Sequence, residues 1–163
     1  MDTFTVRSVT EADFPDMCAI WNEIVEEGAA FPQEEPLVEV SGPDFFLSQS
    51  FCGVAEGVEG LLGLYILHPN NVGRCGHICN ASYAVSARFR GRGVGEQLVR
   101  HCLEQARRLG FRILQFNAVV DSNLRARRLY ERLGFQPLGV IPGGFRCKDG
   151  RFEDIRPYYF ALC

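Results

Sequence analysis

The run Arg88-Phe89-Arg90-Gly91-Arg92-Gly93-Val94-Gly95 constrains this 163-residue chain more than any other segment. It follows a strand-like stretch and opens into the strongest amphipathic helix in the sequence, read as Gly91–Leu109. Val94, Leu98, Cys102, Leu103, Ala106 and Leu109 fall on one stripe of that helix, and Gly110 is its stop. A strand, a glycine turn and a one-sided helix in succession commit the chain to packing that helix on a sheet. Glycines at alternate positions let the backbone approach a ligand closely and take positive φ. A helix start offers unpaired N–H groups and the positive end of the dipole. With arginines crowding it, the turn reads either as a cradle for a phosphorylated ligand or as a glycine-rich β–α turn alone. A dinucleotide fingerprint needs a third glycine where Glu96 stands, and a nucleoside-triphosphate loop needs a Gly-Lys-Ser/Thr that is absent.

The elements around this turn can be read from periodicity. Phe4–Val9 alternates as a strand, and Thr10 caps a helix to about Glu27, with Asp13 as its capping-box partner. Met17, Ile20, Trp21, Ile24 and Val25 lie at core spacing in that helix, which Gly28 ends. A loop over Phe31–Pro36 and a short helix near Pro43–Ser48 lead to strands at Phe51–Glu56, Leu61–Leu67 and His77–Val85, the second apolar on both faces. After the glycine helix come a strand at Arg112–Val119 and a helix at Ser122–Leu133 closed by Gly134. Strands at Phe135–Phe145 and Phe152–Leu162 follow, joined by a turn at Lys148-Asp149-Gly150. The order β-α-(α)-β-β-β-α-β-α-β-β predicts an α/β (α+β) fold with a mixed sheet, one domain over residues 1–163.

Composition excludes several classes of function. The net charge of −3 argues against a nucleic-acid partner, and no apolar run approaches the ~20 residues of a membrane span. Met1-Asp2-Thr3-Phe4 lacks the basic and apolar regions of a signal peptide. Seven scattered cysteines, an odd number, read as free thiols in a reducing, cytoplasmic compartment. Cys75, His77 and Cys79 alternate along a strand, but with no second ligand pair at zinc spacing they are read as packing, so no metal is expected.

A second motif supplies chemistry that the turn lacks. Asn123, Ala126 and Tyr130 are spaced three and four apart, which places an amide, a small side chain and a phenol on one helix face. Such a face suits a narrow ligand arm, with Ala126 leaving room, Asn123 hydrogen-bonding and Tyr130 able to protonate a leaving group. Together the two motifs resemble those of the GNAT acetyltransferase superfamily. Arg90-x-x-Gly93-x-Gly95 is similar to its Gln/Arg-x-x-Gly-x-Gly/Ala loop, and Asn123-x-x-Ala126-x-x-x-Tyr130 before Leu133-Gly134-Phe135 to its second motif. The resemblance implies a mostly antiparallel mixed sheet, flanked by helices and splayed between its fourth and fifth strands, and acetyl-CoA as co-substrate. It implies a pyrophosphate site over Arg90, Gly91, Arg92, Gly93, Val94 and Gly95, and a pantetheine arm along strand backbone at Tyr83, Ala84 and Val85. Asn123, Ala126 and Tyr130 would line the same arm. The acceptor amine would attack directly, strand N–H groups would polarise the thioester carbonyl, and Tyr130 would act as general acid.

The acceptor side carries a departure. Asn80-Ala81-Ser82-Tyr83-Ala84-Val85 resembles the Glu-x-Ser-x-Tyr-Val strand of phosphinothricin-type acetyltransferases, with Asn80 in place of the glutamate. An amide cannot accept a proton at neutral pH, so the base is water or a group elsewhere, such as Glu34, Glu35 or His77. Asn80, Asn117 and Asn123 are similar to a set in the acetyltransferases that act on azetidine-2-carboxylate, a proline analogue. By that resemblance Asn80 orients the imino nitrogen while Asn117 and Asn123 hold the carboxylate. The leading expectation is therefore N-acetylation of a small-molecule amine. The alternatives are a protein or peptide acetyltransferase, favoured by the acidic run Glu26, Glu27, Glu34 and Glu35, and a non-catalytic CoA-binding domain. The apolar, aromatic last strand allows a homodimer.

Overall fold

A computed structural model describes residues 3–163. The elements are β1 (Phe4–Ser8), α1 (Phe14–Glu27), α2 (Gly42–Leu47), β2 (Phe51–Gly57), β3 (Gly60–Pro69), β4 (Ile78–Val85), α3 (Val94–Arg108), β5 (Ile113–Val120), α4 (Leu124–Leu133), β6 (Gln136–Pro137), β7 (Ile141–Arg146) and β8 (Phe152–Ala161). The sheet runs β1-β2-β3-β4-β5-β8, with β6 and β7 both on the free edge of β8. Every pairing is antiparallel except β4–β5, which is parallel and holds only at Ile78–Ile113 and Cys79–Leu114. From Asn80 onward β4 therefore has no ladder partner on its β5 side, and the sheet splays there.

Two apolar layers hold the sheet. On one face the α1 stripe (Met17, Ile20, Trp21, Ile24 and Val25) packs with Phe46 of α2 on Val54, Leu64, Ile66 and Ala84. On the other, Val94, Leu98, Val99, Cys102, Leu103 and Ala106 of α3 pack on Tyr65, Leu67, Ala81 and Leu114. Successive β3 side chains thus feed opposite layers, which is why that strand reads as apolar on both faces. Helix α4 has no fully buried residue; Ala126, Leu129, Tyr130 and Leu133 only lean on the α3 layer. A groove is left between α3 and α4 above the splay. Among the described residues, no helix is long and apolar enough to cross a membrane.

Several boundaries differ from the sequence reading, each for a local reason. Helix α3 starts at Val94 rather than Gly91, because Gly91 and Gly93 both hold φ near +80°, a left-handed value outside the helical region. Its last turn ends at Arg108, which leaves Leu109 off the stripe and 48% exposed. Asn123 stands outside α4 as its N-cap, and its side-chain oxygen accepts the Ala126 N–H at 3.2 Å. The strand expected over Phe135–Phe145 breaks into β6 and β7 around Gly139, whose φ of +121° interrupts the extended path. Cys75 lies in a one-turn 3-10 helix (Gly73–Cys75) and β4 begins at Ile78, so Cys75, His77 and Cys79 do not alternate along one strand.

Candidate active site

The groove between α3 and α4 is a cleft of about 480 Å³. Val85 of β4 and Gly95 at the start of α3 form one wall; Ala126, Leu129 and Tyr130 of α4 form the other. Arg90 and Glu27 stand at its mouth. No side chain caps α3, whose first backbone bond runs from Gln97 N–H back to the Gly93 carbonyl, so the N–H groups ahead of it face the cleft entrance uncapped. A Cβ built on Gly95 would sit 3.8 Å from Val85 and 3.9 Å from Leu129, between the two walls. A methyl there meets ordinary contacts, so it is a longer side chain at 95 that would fill the slot.

A second cleft of about 190 Å³ lies in the splay itself. Phe31 and Pro32, from the loop after α1, cover it, and Asn80, Phe116 and Asn117 line its far end. The two clefts share Ala30, Tyr83, Asn123, Ala126 and Tyr130. Tyr130 stands at this junction, its ring 4.4 Å from Phe116 and 6.4 Å from Tyr83 between centroids. Among the described residues no group hydrogen-bonds the Tyr130 hydroxyl, and burial pushes that phenol above its ordinary value near 10, which keeps the proton on oxygen at neutral pH. Burial, with the Cys102 thiol beside it, likewise raises the Tyr83 phenol, which stays protonated at neutral pH.

The charged groups of the loop are already engaged. Arg90 bonds the Glu27 carboxylate at 2.6 Å and the Val85 carbonyl at 3.3 Å. Arg88 and Arg92 converge on Glu59 at 2.7 and 3.5 Å and both lie over the Phe89 ring. Of the acidic run expected to receive a basic peptide, Glu26 pairs with Lys148, Glu27 with Arg90 and Glu34 with Arg146. His77 precedes β4 and is exposed, outside both clefts. Among the described residues no carboxylate or imidazole lines the smaller cleft.

Most of the residues singled out from the sequence converge here. Arg90, Gly95, Tyr83 and Val85 line the larger cleft; Asn80 and Asn117 line the smaller; Asn123, Ala126 and Tyr130 belong to both. The side chains of Ala84 and Val94 go elsewhere, Ala84 into the α1 layer and Val94 under α3, so only their backbone is available to a ligand. Gly91, Arg92 and Gly93 form the exposed lip ahead of α3. Asn70, at the end of β3, was not expected: its amide exchanges hydrogen bonds with Asn117 at 2.7 and 3.1 Å and receives one from Asn80 at 3.4 Å. Its sequence distance of 47 residues from Asn117 hides the pairing from any local pattern. The cover residues Phe31 and Pro32, and Glu27 beside Arg90, were equally silent.

A splayed mixed sheet with a donor-length groove on one side of the gap and a small cleft in it defines an acyl-transfer scaffold, and comparison with known proteins identifies it. Residues 15–135 match the acetyltransferase (GNAT) family. The chain is 32% identical to the N-acetyltransferase aca1 of Schizosaccharomyces pombe over 78% of this chain and 69% of that protein. It is 27% identical to the L-methionine sulfoximine/L-methionine sulfone acetyltransferase of Pseudomonas aeruginosa, over 93% of this chain and 90% of that one. The solved GCN5-related N-acetyltransferase of Kribbella flavida superposes with a TM-score of 0.89 at 31% identity, covering 97% of each chain. The chain belongs to the GNAT acetyltransferase family and is an acetyl-CoA-dependent acyltransferase. The residues present fit that co-substrate: an uncapped helix start for phosphates, and a slot lined by the small residues Gly95 and Ala126 for an extended arm.

Proposed function

We propose that the enzyme transfers the acetyl group from acetyl-CoA to the amine of a small amino or imino acid, with Tyr130 as general acid. The observation that carries this reading is the junction of the two clefts at Tyr83, Asn123, Ala126 and Tyr130, one slot long enough for a cofactor arm and one cavity small enough for an amino acid. Acetyl-CoA brings an activated thioester, whose acyl carbon is open to direct attack by an amine. Arg90, the Gly91–Gly95 backbone and the α3 N-terminus would hold its pyrophosphate. Arg90 would then exchange Glu27 for phosphate. The unpaired β5-facing edge of β4 would supply N–H groups to the thioester carbonyl. Asn80 and Asn117 would orient the acceptor at the far end of the small cleft. As the new C–N bond forms and the C–S bond breaks, the amine proton passes to water and Tyr130 O–H protonates the departing sulfur.

The small cleft lacks a base, so the acceptor reacts from its neutral fraction. Glu26 and Glu34 would stay ion-paired to Lys148 and Arg146 with acetyl-CoA bound, which supports the small-molecule reading over protein acetylation. A panel of acceptors scored by CoA release tests it. Azetidine-2-carboxylate, L-proline, L-methionine sulfone and phosphinothricin should include at least one good acceptor, with lysine-containing peptides inert. Turnover of peptides and of no 2-carboxyl amine would overturn the proposal.

A further inference from the structure

The amide groups around the small cleft form one hydrogen-bonded chain whose polarity a single backbone group dictates. The Ala81 N–H can only donate, and it donates to Asn80 Oδ1 at 2.7 Å. The other end of that amide is therefore Asn80 Nδ2, which donates to Asn70 Oδ1 at 3.4 Å. With its oxygen so placed, Asn70 must present Nδ2 to Asn117 Oδ1, at 3.1 Å, and Asn117 Nδ2 returns the bond to Asn70 Oδ1 at 2.7 Å. Gln115 Nε2 also donates to Asn117 Oδ1 at 3.1 Å.

The tally of lone pairs then decides what the cleft offers a ligand. A carbonyl oxygen accepts two hydrogen bonds. Asn117 Oδ1 receives two, from Asn70 and Gln115, and Asn70 Oδ1 receives two, from Asn80 and Asn117. Asn80 Oδ1 is turned back onto its own backbone. What remains unspent on the two cleft amides is one N–H each on Asn80 and Asn117 and a single lone pair on Asn80 Oδ1. Asn117, which could have faced the cleft with either end, is left with a donor alone, and Asn80 is fixed with its oxygen on the Ala81 N–H.

We infer that Asn70 is a positioning residue that sets the charge preference of the acceptor site: by donating to the Asn117 oxygen, and by accepting from Asn80 Nδ2 while the Asn80 oxygen stays on the Ala81 N–H, it makes the site select an acceptor bearing a carboxylate over the same acceptor with that group neutralised. The inference rests on the small-molecule reading above. Asn70 lines neither cleft and would act wholly through its neighbours.

The test compares azetidine-2-carboxylate with azetidine-2-carboxamide as acceptors for the full-length enzyme and for Asn70→Asp and Asn70→Ala. Asn70→Asp keeps the shape but presents oxygen where Nδ2 stood, so Asn117 must turn and spend its donors on the new carboxylate. KM for the carboxylate should rise at least tenfold, and KM for the carboxamide and kcat should stay within about twofold. Asn70→Ala, which frees the amides to rotate, should raise KM for the carboxylate several-fold with the same split. The calorimetric Kd for CoA should not move in either variant. In parallel, the ¹⁵N side-chain amide resonances of Asn80 and Asn117 should shift when azetidine-2-carboxylate is added to the wild type, and not in Asn70→Asp. Equal KM changes for both acceptors, or none for the carboxylate, would overturn the inference while leaving the acetyltransfer reading intact. Amide shifts without wild-type turnover would overturn the acetyltransfer reading and support the inference; neither shifts nor turnover would overturn both.

Discussion

Replacing Tyr130 by Phe removes one oxygen from the junction of the two clefts and leaves the rest of the ring's environment in place. The ring keeps its contacts with Phe116, Phe135 and Tyr158, at 4.4, 5.4 and 6.2 Å between centroids. Its hydroxyl bonds no protein group among the described residues, so no partner is orphaned and stability should change by less than about 0.5 kcal/mol. The kinetic cost can be bounded from the acidities. General acids contribute roughly 10²–10⁴ in rate, but a phenol raised above its ordinary value is a weaker acid than a thiol near 8.5. Complete transfer to the departing sulfur runs uphill, so the benefit lies at the lower end, about a hundredfold or about 2.7 kcal/mol in the barrier. Single-turnover measurement of acetyl transfer, with thiol release followed continuously, separates this from product release. Tyr130→Phe should lose about two orders of magnitude in the transfer step, with Kd for acetyl-CoA and the thermal midpoint little changed. A transfer rate within threefold of wild type would refute the acid role, and a loss matched by a fall in thermal midpoint would refute the claim that the hydroxyl is structurally idle.

Gly95→Leu should raise Kd for CoA at least tenfold by filling the slot between Val85 and Leu129, while Gly95→Ala, whose Cβ meets only ordinary contacts, should bind CoA and melt no lower than wild type. With no titratable base in the small cleft, log kcat/KM should rise with unit slope up to the pKa of the acceptor amine, and should level earlier for an acceptor of lower amine pKa. An inflection at one pH shared by both acceptors would reveal an enzyme base. The buried Asp13 carboxyl is held down at about 2 by the Arg7 guanidinium, at 2.8 and 2.9 Å, and by the Thr10 N–H. Its folded value lies below the unfolded 3.8, so the contribution is present above that pH and lost as pH falls toward 2. Urea titrations should therefore find Asp13→Asn about 1–2 kcal/mol less stable than wild type at pH 7 and equal to it near pH 2.

Local spacing carried the parts of this protein that local physics builds. The α1 and α3 stripes, the ends at Gly28 and Gly134, and the double-sided β3 all follow from periods of 3.6 and 2 and from terminal residues. The donor residues were legible for the same reason, since Arg90–Gly95 and Asn123–Tyr130 are each a single contiguous turn and helix. What failed were readings that needed φ or a distant partner. Spacing cannot say that Gly91 and Gly93 take positive φ, so the helix was begun three residues early. Nor can it see that Arg90 meets Glu27 from 63 residues away, so the loop looked like a bare cationic cradle. The motif places Ala84 and Val94 beside the ligand arm, but the pleat and the helix face send their side chains into opposite cores.

The two register pairs between β4 and β5 explain why the two clefts meet in one place. A ladder continued past Cys79 would have consumed the β5-facing edge of β4 and drawn Gln115, Phe116 and Asn117 against Asn80, Ala81 and Ser82, filling the small cleft. The gap is not left to strain. Asn70 reaches from the end of β3 to Asn117 on β5 and bonds Asn80 on the way, so side-chain amides replace the missing backbone bonds at the opening. Two of the three amides that bridge the open end of the sheet, Asn80 and Asn117, also line the small cleft. Arg90 and Gly95 touch only the larger cleft and Asn80 and Asn117 only the smaller, whereas Tyr83, Asn123, Ala126 and Tyr130 touch both. Asn123, spent as the cap of α4, ties the junction of the two clefts to the helix that carries Tyr130.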